Sequence, residues 1–208
     1  MRDKEVKNYL INNFKFDENS IEKLEYFCNR VLSFNKSYNL ISSSTEPNIW
    51  TRHVLDSAQL IKFIDFKNSS MLSDLGSGAG FPGLILAIYN KNPNFHVKLF
   101  EKSKVKTSFL INIVKELDIS AKIILGDIRE KNIDSEYIVC RAFRKLPEIL
   151  KISREKLKKP HKIIILKGKN AQEEVNKALK EKLFKYKLID SITDKESKIL
   201  LIDALNSE

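Results

Sequence analysis

The chain has 208 residues, 42% hydrophobic and 9% aromatic, and its 37 Lys plus Arg against 27 Asp plus Glu leave a net charge of +10. At roughly 150 residues per domain that is one domain with a small appendage, too apolar for a disordered chain. No run nears the ~18 apolar residues of a membrane span, charges and Asn stand where a signal peptide is apolar, and two cysteines make neither a disulfide framework nor a zinc site, so a cytoplasmic protein without membrane or metal is expected.

Residues 1–69 read as a helical extension packed on a core. Ile21, Leu24, Cys28, Val31 and Leu32 recur at helical spacing, with Asp17 or Ser20 as a cap. The stretch NKSYNLISSST has loop character. Thr45 is then placed to cap a second helix, with Glu46 and Pro47 in its first turn. Ile49, His53, Ser57, Leu60 and Ile64 would share one of its faces.

Over 70–208 short apolar runs alternate with helical segments. The strands are MLSDL, HVKLF, KIIL, YIVC and KIIILK. Helical segments LILAIY, KVKTSFLINIVKEL, LPEILKISREKL and AQEEVNKALK lie between or after them, and KIIL is followed only by a short connection. Such alternation predicts a parallel sheet covered on both faces. FKYKLIDSI and SKILLIDAL are separated by only TDKE, too short for a parallel crossover, so they should pair antiparallel. The fold expected is α/β, a Rossmann-like seven-stranded sheet whose last two strands are antiparallel.

The charge is unevenly placed. Residues 1–70 carry a net +1, residues 91–169 a net +11, and residues 71–90 and 170–208 a net −1 each. A cationic face that attracts nucleic acid and a merely solvated lysine cluster explain this equally well.

The sharpest local signal runs from Asp74 to Gly83, DLGSGAGFPG, after a strand and before a helix. Glycines at Gly76 and Gly78 let backbone approach a ligand. The spacing is G-x-G-x-G, and Phe81 stands where a dinucleotide fingerprint has its third glycine. Asp74 would disfavour a pyrophosphate and suit a cationic amino group, which points to S-adenosylmethionine rather than a nicotinamide cofactor. Glu101, closing the second strand, can accept from two ribose hydroxyls. Asp127, after the third strand, can accept from an adenine amino group.

These residues, with Asn35, Asn39-Leu40, Arg52-His53-Val54-Leu55-Asp56-Ser57, Glu101-Lys102-Ser103, Lys106, Phe109-Leu110, Arg141-Ala142-Phe143 and Leu166-Lys167-Gly168, give the chain a resemblance to the class I methyltransferases. Within them it resembles the small-subunit rRNA guanine-N7 methyltransferase family, the glucose-inhibited division protein B type, over nearly its whole length. The resemblance implies S-adenosylmethionine as cofactor and 16S rRNA or the small ribosomal subunit as partner; a monomer is expected. It implies a cofactor pocket lined by Gly76, Phe81, Glu101, Ile128, Arg129 and Arg141. Where members carry Arg, a small or apolar residue and Glu, this chain reads Asp127-Ile128-Arg129-Glu130; main-chain contacts to adenine would survive that change, and a contact from the acidic side chain would not unless Asp127 or Glu130 replaces it.

Guanine N7 has a free lone pair, so alignment replaces general base catalysis. No catalytic dyad is accordingly found; Arg141 and His53, with Asp56 three residues on, are the candidates for a direct role. Arg52 and Asp56 form a potential i,i+4 ion pair. The Asn/Asp-Pro-Pro-aromatic turn of DNA amino methylation is missing, and Cys28 and Cys140 look like core, not nucleophiles. Phe143 could stack on an unpaired base or pack inward. Lys102, Lys104, Lys106, Arg144 and Lys145 should rim the cleft and hold RNA phosphates, whereas Lys156, Lys158, Lys159 and Lys162 should lie elsewhere. A dehydrogenase, a non-catalytic RNA-binding module and a methyltransferase for another base are the competing functions.

Overall fold

Seven apolar runs of five to seven residues form one sheet in the order β3-β2-β1-β4-β5-β7-β6. The computed structural model describes residues 1–178 and 185–204. The strands are β1 (Met71–Leu75), β2 (His96–Glu101), β3 (Ala121–Leu125), β4 (Tyr137–Arg141), β5 (His161–Lys167), β6 (Lys185–Asp190) and β7 (Lys198–Ala204). The first five are parallel, and β7 runs antiparallel between β5 and β6. The expected antiparallel pair is present. Its insertion is such that β7, not β6, docks on β5.

Both faces of the central strands are buried, as a parallel sheet requires. In β4, Tyr137 and Val139 join one apolar cluster while Ile138 and Cys140 join the other. In β5, Ile164 and Leu166 face the first and Ile163 and Ile165 the second. Helices α4 (Gly83–Tyr89) and α5 (Lys104–Glu116) cover the first face. Helices α6 (Leu146–Lys156) and α7 (Ala171–Ala178) cover the second. The sheet order therefore reverses between β1 and β4, which opens a crevice at their carboxyl ends.

The N-terminal residues add to the first face. Helices α1 (Asp3–Phe14) and α2 (Glu18–Asn35) bury Val6, Leu10, Leu24 and Phe27 in the cluster that holds Leu72 and Val139. Asp17 caps α2 by accepting from the Ser20 amide at 2.8 Å. The second expected helix is not regular. It is a 3-10 segment (Ser43–Asn48), a π-helical turn (Trp50–Leu55), one α turn, α3 (Asp56–Ala58), and a 3-10 segment (Gln59–Phe63). Thr45 does not cap it: Ser42 holds the N-cap position, and the Thr45 hydroxyl donates to the Ser42 carbonyl at 2.7 Å. Ile49, His53, Ser57, Leu60 and Ile64 are nonetheless all buried.

The last residues of the AQEEVNKALK helix and the first of the FKYKLIDSI strand fall outside the described residues. No helix among the described residues is long and apolar enough to cross a membrane.

Candidate functional site

The crevice at the switch point is a cleft of about 450 Å³. Its floor is the glycine turn. The Gly76 and Ser77 amides donate to the Phe100 carbonyl at 2.9 and 3.1 Å, which pins the turn over the end of β2. Gly76 has a φ of 71°, and a Cβ there would lie 2.2 Å from Cδ2 of Phe143. The ring of Phe143 thus rests on a residue without a side chain to obstruct it.

The expected cofactor residues divide by place. Gly76, Gly78, Phe81, Glu101, Asp127, Ile128 and Arg141 all line the cleft. Glu101 accepts from the Gly78 amide at 2.9 Å and the Ser103 amide at 2.8 Å, which leaves carboxylate lone pairs for further donors. Asp127 is engaged by Arg129, whose Nε and Nη2 donate at 3.0 and 2.6 Å and hold its carboxyl well below the usual carboxylate range.

Asp74 and Arg129 do not line the cleft. Asp74 is 0% exposed, and its Oδ2 accepts from the Gly83 amide at 2.9 Å. It anchors the start of α4 from behind the turn, not a ligand from within the cleft. Burial pushes its carboxyl up to about 7, and its Oδ1 has no partner. The Arg129 side chain is 67% exposed and turned back on Asp127.

A second cavity of about 910 Å³ opens over the carboxyl ends of β4 and β5. Residues 141–144 wall both spaces. Arg141 ties this partition to the N-terminal residues. Its Nη1 donates to the Arg52 carbonyl at 2.8 Å, its Nη2 donates to His53 Nδ1, and Asp56 Oδ2 is 3.6 Å away. His53 Nε2 in turn meets the Thr45 hydroxyl at 2.8 Å. Because Nδ1 accepts, the proton sits on Nε2 and is donated to Thr45. Burial, aided by the Arg141 and Arg52 cations, pushes the imidazole down to about 3, so it is neutral.

Two sequence expectations are corrected here. His53 has no bond to Asp56; its partners are Arg141 and Thr45. Arg52 does not pair with Asp56 but with Asp194 at 2.7 Å. Asp56 is turned inward, where Gln59 and Thr193 donate to its Oδ1 at 2.9 and 2.8 Å. Burial raises its carboxyl despite Arg141.

Also lining the second cavity, Lys167 at the end of β5 donates to Glu174 of α7 at 2.6 Å. The Lys167 side chain is only 10% exposed. Sequence reading takes Lys167 only as part of the Leu166-Lys167-Gly168 motif and places Glu174 only within a helical segment; their seven-residue separation spans a turn and leaves no periodic signal. It likewise missed Asn35 as a brace. Asn35 accepts from the Leu40 and Ile41 amides at 2.7 and 2.9 Å, which holds both residues in the cleft wall.

The expected RNA-binding residues are also divided. Lys102 and Lys106 line the cleft, Lys145 lines the second cavity, and Arg144 lines both. Lys104 is exposed but lines neither. Arg144 is already paired with Glu148 at 2.8 Å and Asp127 at 3.8 Å. Phe143 is half-buried beneath it, with the guanidinium 5.3 Å from its ring. Of the lysines expected elsewhere, Lys159 pairs with Asp134 and Lys162 lines a groove at the opposite end of the strands. Cys28 and Cys140 are both buried and unbonded to each other. No cluster of three or more potential metal ligands occurs among the described residues.

Comparison with known proteins gives a consistent result. Residues 20–202 match the family described as rRNA small subunit methyltransferase G. "Ribosomal RNA small subunit methyltransferase G" of Rickettsia typhi is 40% identical over 185 residues, 89% of this chain and 94% of that protein. The protein of the same name from Rickettsia prowazekii is 39% identical over 191 residues, 92% and 97% of the two chains. Among solved structures, an RNA methyltransferase from Salinibacter ruber in complex with S-adenosyl-L-homocysteine superposes with a TM-score of 0.55 at 13% identity, covering 73% of this chain and 92% of that one. The fibrillarin pre-rRNA processing protein of Methanococcus jannaschii gives 0.54 at 17% identity, covering 69% and 70%. These structural likenesses establish the class I methyltransferase fold.

Proposed function

The chain belongs to the rRNA small subunit methyltransferase G family, and on that footing we propose that it moves a methyl group from S-adenosylmethionine to N7 of a guanine in 16S rRNA. The observation that carries this reading is the junction of two cavities at residues 141–144. A donor in one and a base in the other would meet across a single short loop. At about 450 Å³ the first cavity is within the range of small-molecule sites.

The residues present fit the cofactor. Gly76 and Gly78 would bring backbone close to it, Glu101 would accept from its ribose hydroxyls, and Ile128 with the main chain of 128–129 would hold its adenine. Phe81 and Arg141 close the end nearest the second cavity. Asp74 acts at one remove, by fixing the turn. When bound, S-adenosylmethionine supplies an electrophilic methyl on a sulfonium. The protein's part is to hold guanine N7 in line with it and to exclude water. No proton needs removal from N7, and a neutral His53 that already donates to Thr45 suits a positioning role through Arg141.

Lys102, Lys106 and Lys145 serve the RNA backbone at the mouths of the two cavities, with Lys104 and Arg144 contributing field. The first 69 residues form an extension that supplies wall to both cavities, and residues 70–208 form the methyltransferase domain. The enzyme works as a monomer in the cytoplasm on rRNA or the small subunit.

The test is transfer of labelled methyl from S-adenosylmethionine to rRNA from cells lacking the gene, followed by nucleoside mass analysis. Label in 7-methylguanosine is expected. Label in any other nucleoside overturns the base assignment. RNA binding without S-adenosylhomocysteine binding would instead mark a non-catalytic RNA-binding module.

A further inference from the structure

We propose that the second cavity seats the target base, and that Glu174 and Lys167 recognise it as guanine through its Watson–Crick edge. The inference deepens the methyltransferase reading and rests on it.

Attack by N7 does not by itself choose guanine, because adenine presents an N7 acceptor too. O6 against the N6 amino group separates the two bases beside N7, and the Watson–Crick edge separates them more fully. There guanine offers an acceptor, O6, beside two donors, N1–H and the N2 amino group. Adenine offers the reverse order, an N6 amino donor beside an N1 acceptor. A site that reads guanine therefore needs a donor and an acceptor side by side.

Among the described residues, two carboxylates line the second cavity, Asp56 and Glu174. Asp56 is committed to Arg141, Gln59 and Thr193. Glu174 gives only Oε2 to Lys167, and its Oε1 has no partner among the described residues. The ammonium of Lys167 has three donors and spends one on Glu174. The two groups lie 2.6 Å apart, a donor beside an acceptor. They sit on the β5 side of the cavity, while the shared loop 141–144 sits on the β4 side. A base whose N7 faces that loop turns its Watson–Crick edge toward the pair. Lys167 then donates to O6, and Glu174 accepts from N1–H and N2. Adenine in the same seat would set amino group against ammonium and lone pair against carboxylate, two repulsions at once.

A purely structural pair, tying β5 to α7, would not sense the base. The experiment uses the full-length enzyme and RNA carrying either guanine or inosine at the methylated position; inosine keeps O6 and N1–H but lacks the N2 amino group. kcat/KM is measured for wild type and Glu174→Gln on both RNAs, with S-adenosylhomocysteine binding measured calorimetrically. The expected loss on changing guanine to inosine is roughly 10- to 100-fold for wild type, the range for a hydrogen bond to a charged group. Glu174→Gln should lose about as much on guanine RNA and then show little further penalty for inosine, with S-adenosylhomocysteine affinity unchanged. Equal rates for both variants on guanine RNA, or an inosine penalty of the same size in both, overturn the proposal. If Glu174→Gln fails to bind S-adenosylhomocysteine and so has not folded, the wild-type comparison decides alone: no inosine penalty overturns the proposal. Wild type that methylates no guanine at all would overturn the methyltransferase reading itself, a different failure.

Discussion

Asp74→Asn isolates the energetic cost of a buried carboxylate behind the glycine turn. Asp74 is 0% exposed, and one of its oxygens has no partner. Desolvation raises its carboxyl from 3.8 to about 7 in the folded protein. Between these values the folded state holds a proton that the unfolded state has released. Folding stability contributed by this group is therefore greatest in acid and falls as pH rises, by about 1.36 kcal/mol per unit. Over the whole interval the loss is about 4 kcal/mol. Asparagine keeps an oxygen for the Gly83 amide and has no charge to bury. Its amide nitrogen adds an offset that does not depend on pH. The assay is urea unfolding of both proteins from about pH 4 to about pH 8. The stability of Asp74→Asn relative to wild type should rise by about 4 kcal/mol across that range. His53, pushed down to about 3, pulls the other way, losing stability as pH falls below its unfolded value; it is present in both proteins and cancels. A relative stability that stays flat with pH would refute the argument and return Asp74 to an ordinary, solvated carboxylate.

Other consequences are accessible to binding and spectroscopy. Gly76→Ala sets a Cβ against the Phe143 ring at a φ of 71°, and should cut S-adenosylhomocysteine affinity more than about tenfold through ring displacement and a left-handed strain of roughly 1–2 kcal/mol; unchanged affinity would show that the ring moves freely. Glu101→Gln should weaken S-adenosylhomocysteine by roughly 10- to 100-fold while RNA affinity holds, and equal loss of both ligands would point to a folding defect instead. The His53 imidazole should show no NMR titration between about pH 5 and pH 8, well above its folded value; a midpoint near 6.5 would break the Arg141–His53–Thr45 chain. Replacing Lys102 and Lys106 together by Ala should flatten the salt dependence of RNA binding by about 1.5 in log–log slope, whereas the same change at Lys158 and Lys159 should leave it unaltered.

Much of this architecture is legible in the amino-acid order because it is local. The runs MLSDL and HVKLFE coincide with β1 and β2, since apolar strands buried on both faces end abruptly at polar or glycine residues. Asp17 is legible as a cap for the same local reason. The helix over 43–63 is not, because Pro47 near its start and a π-helical turn at 50–55 break a periodicity that burial alone still obeys. The order of the last three strands is hidden too: a short link shows that β6 and β7 pair, not which of them meets β5. At the site, the glycine turn and Glu101 were readable because they lie on successive strand ends. Asp74 was misplaced because position ahead of a turn does not tell whether a side chain faces the cleft or the helix behind it. The bonds of Arg141 to Arg52 and His53 cross 89 and 88 residues, a distance no pattern reports.

The two buried cysteines give the molecule a pair of internal clocks. Cys28 belongs to α2 in the cluster on one face of the sheet, and Cys140 to β4 in the cluster on the other. They are 2% and 0% exposed, and burial pushes the Cys140 thiol up to about 12 and that of Cys28 further still. Neither can react as it stands, because both accessibility and ionisation are denied. Alkylation of each therefore waits for its own side of the sheet to open, and the two labelling rates time those openings separately. With the cleft beside the glycine turn walled by residues from both sides, the rates in the presence of S-adenosylhomocysteine would tell which half of the protein the ligand fastens.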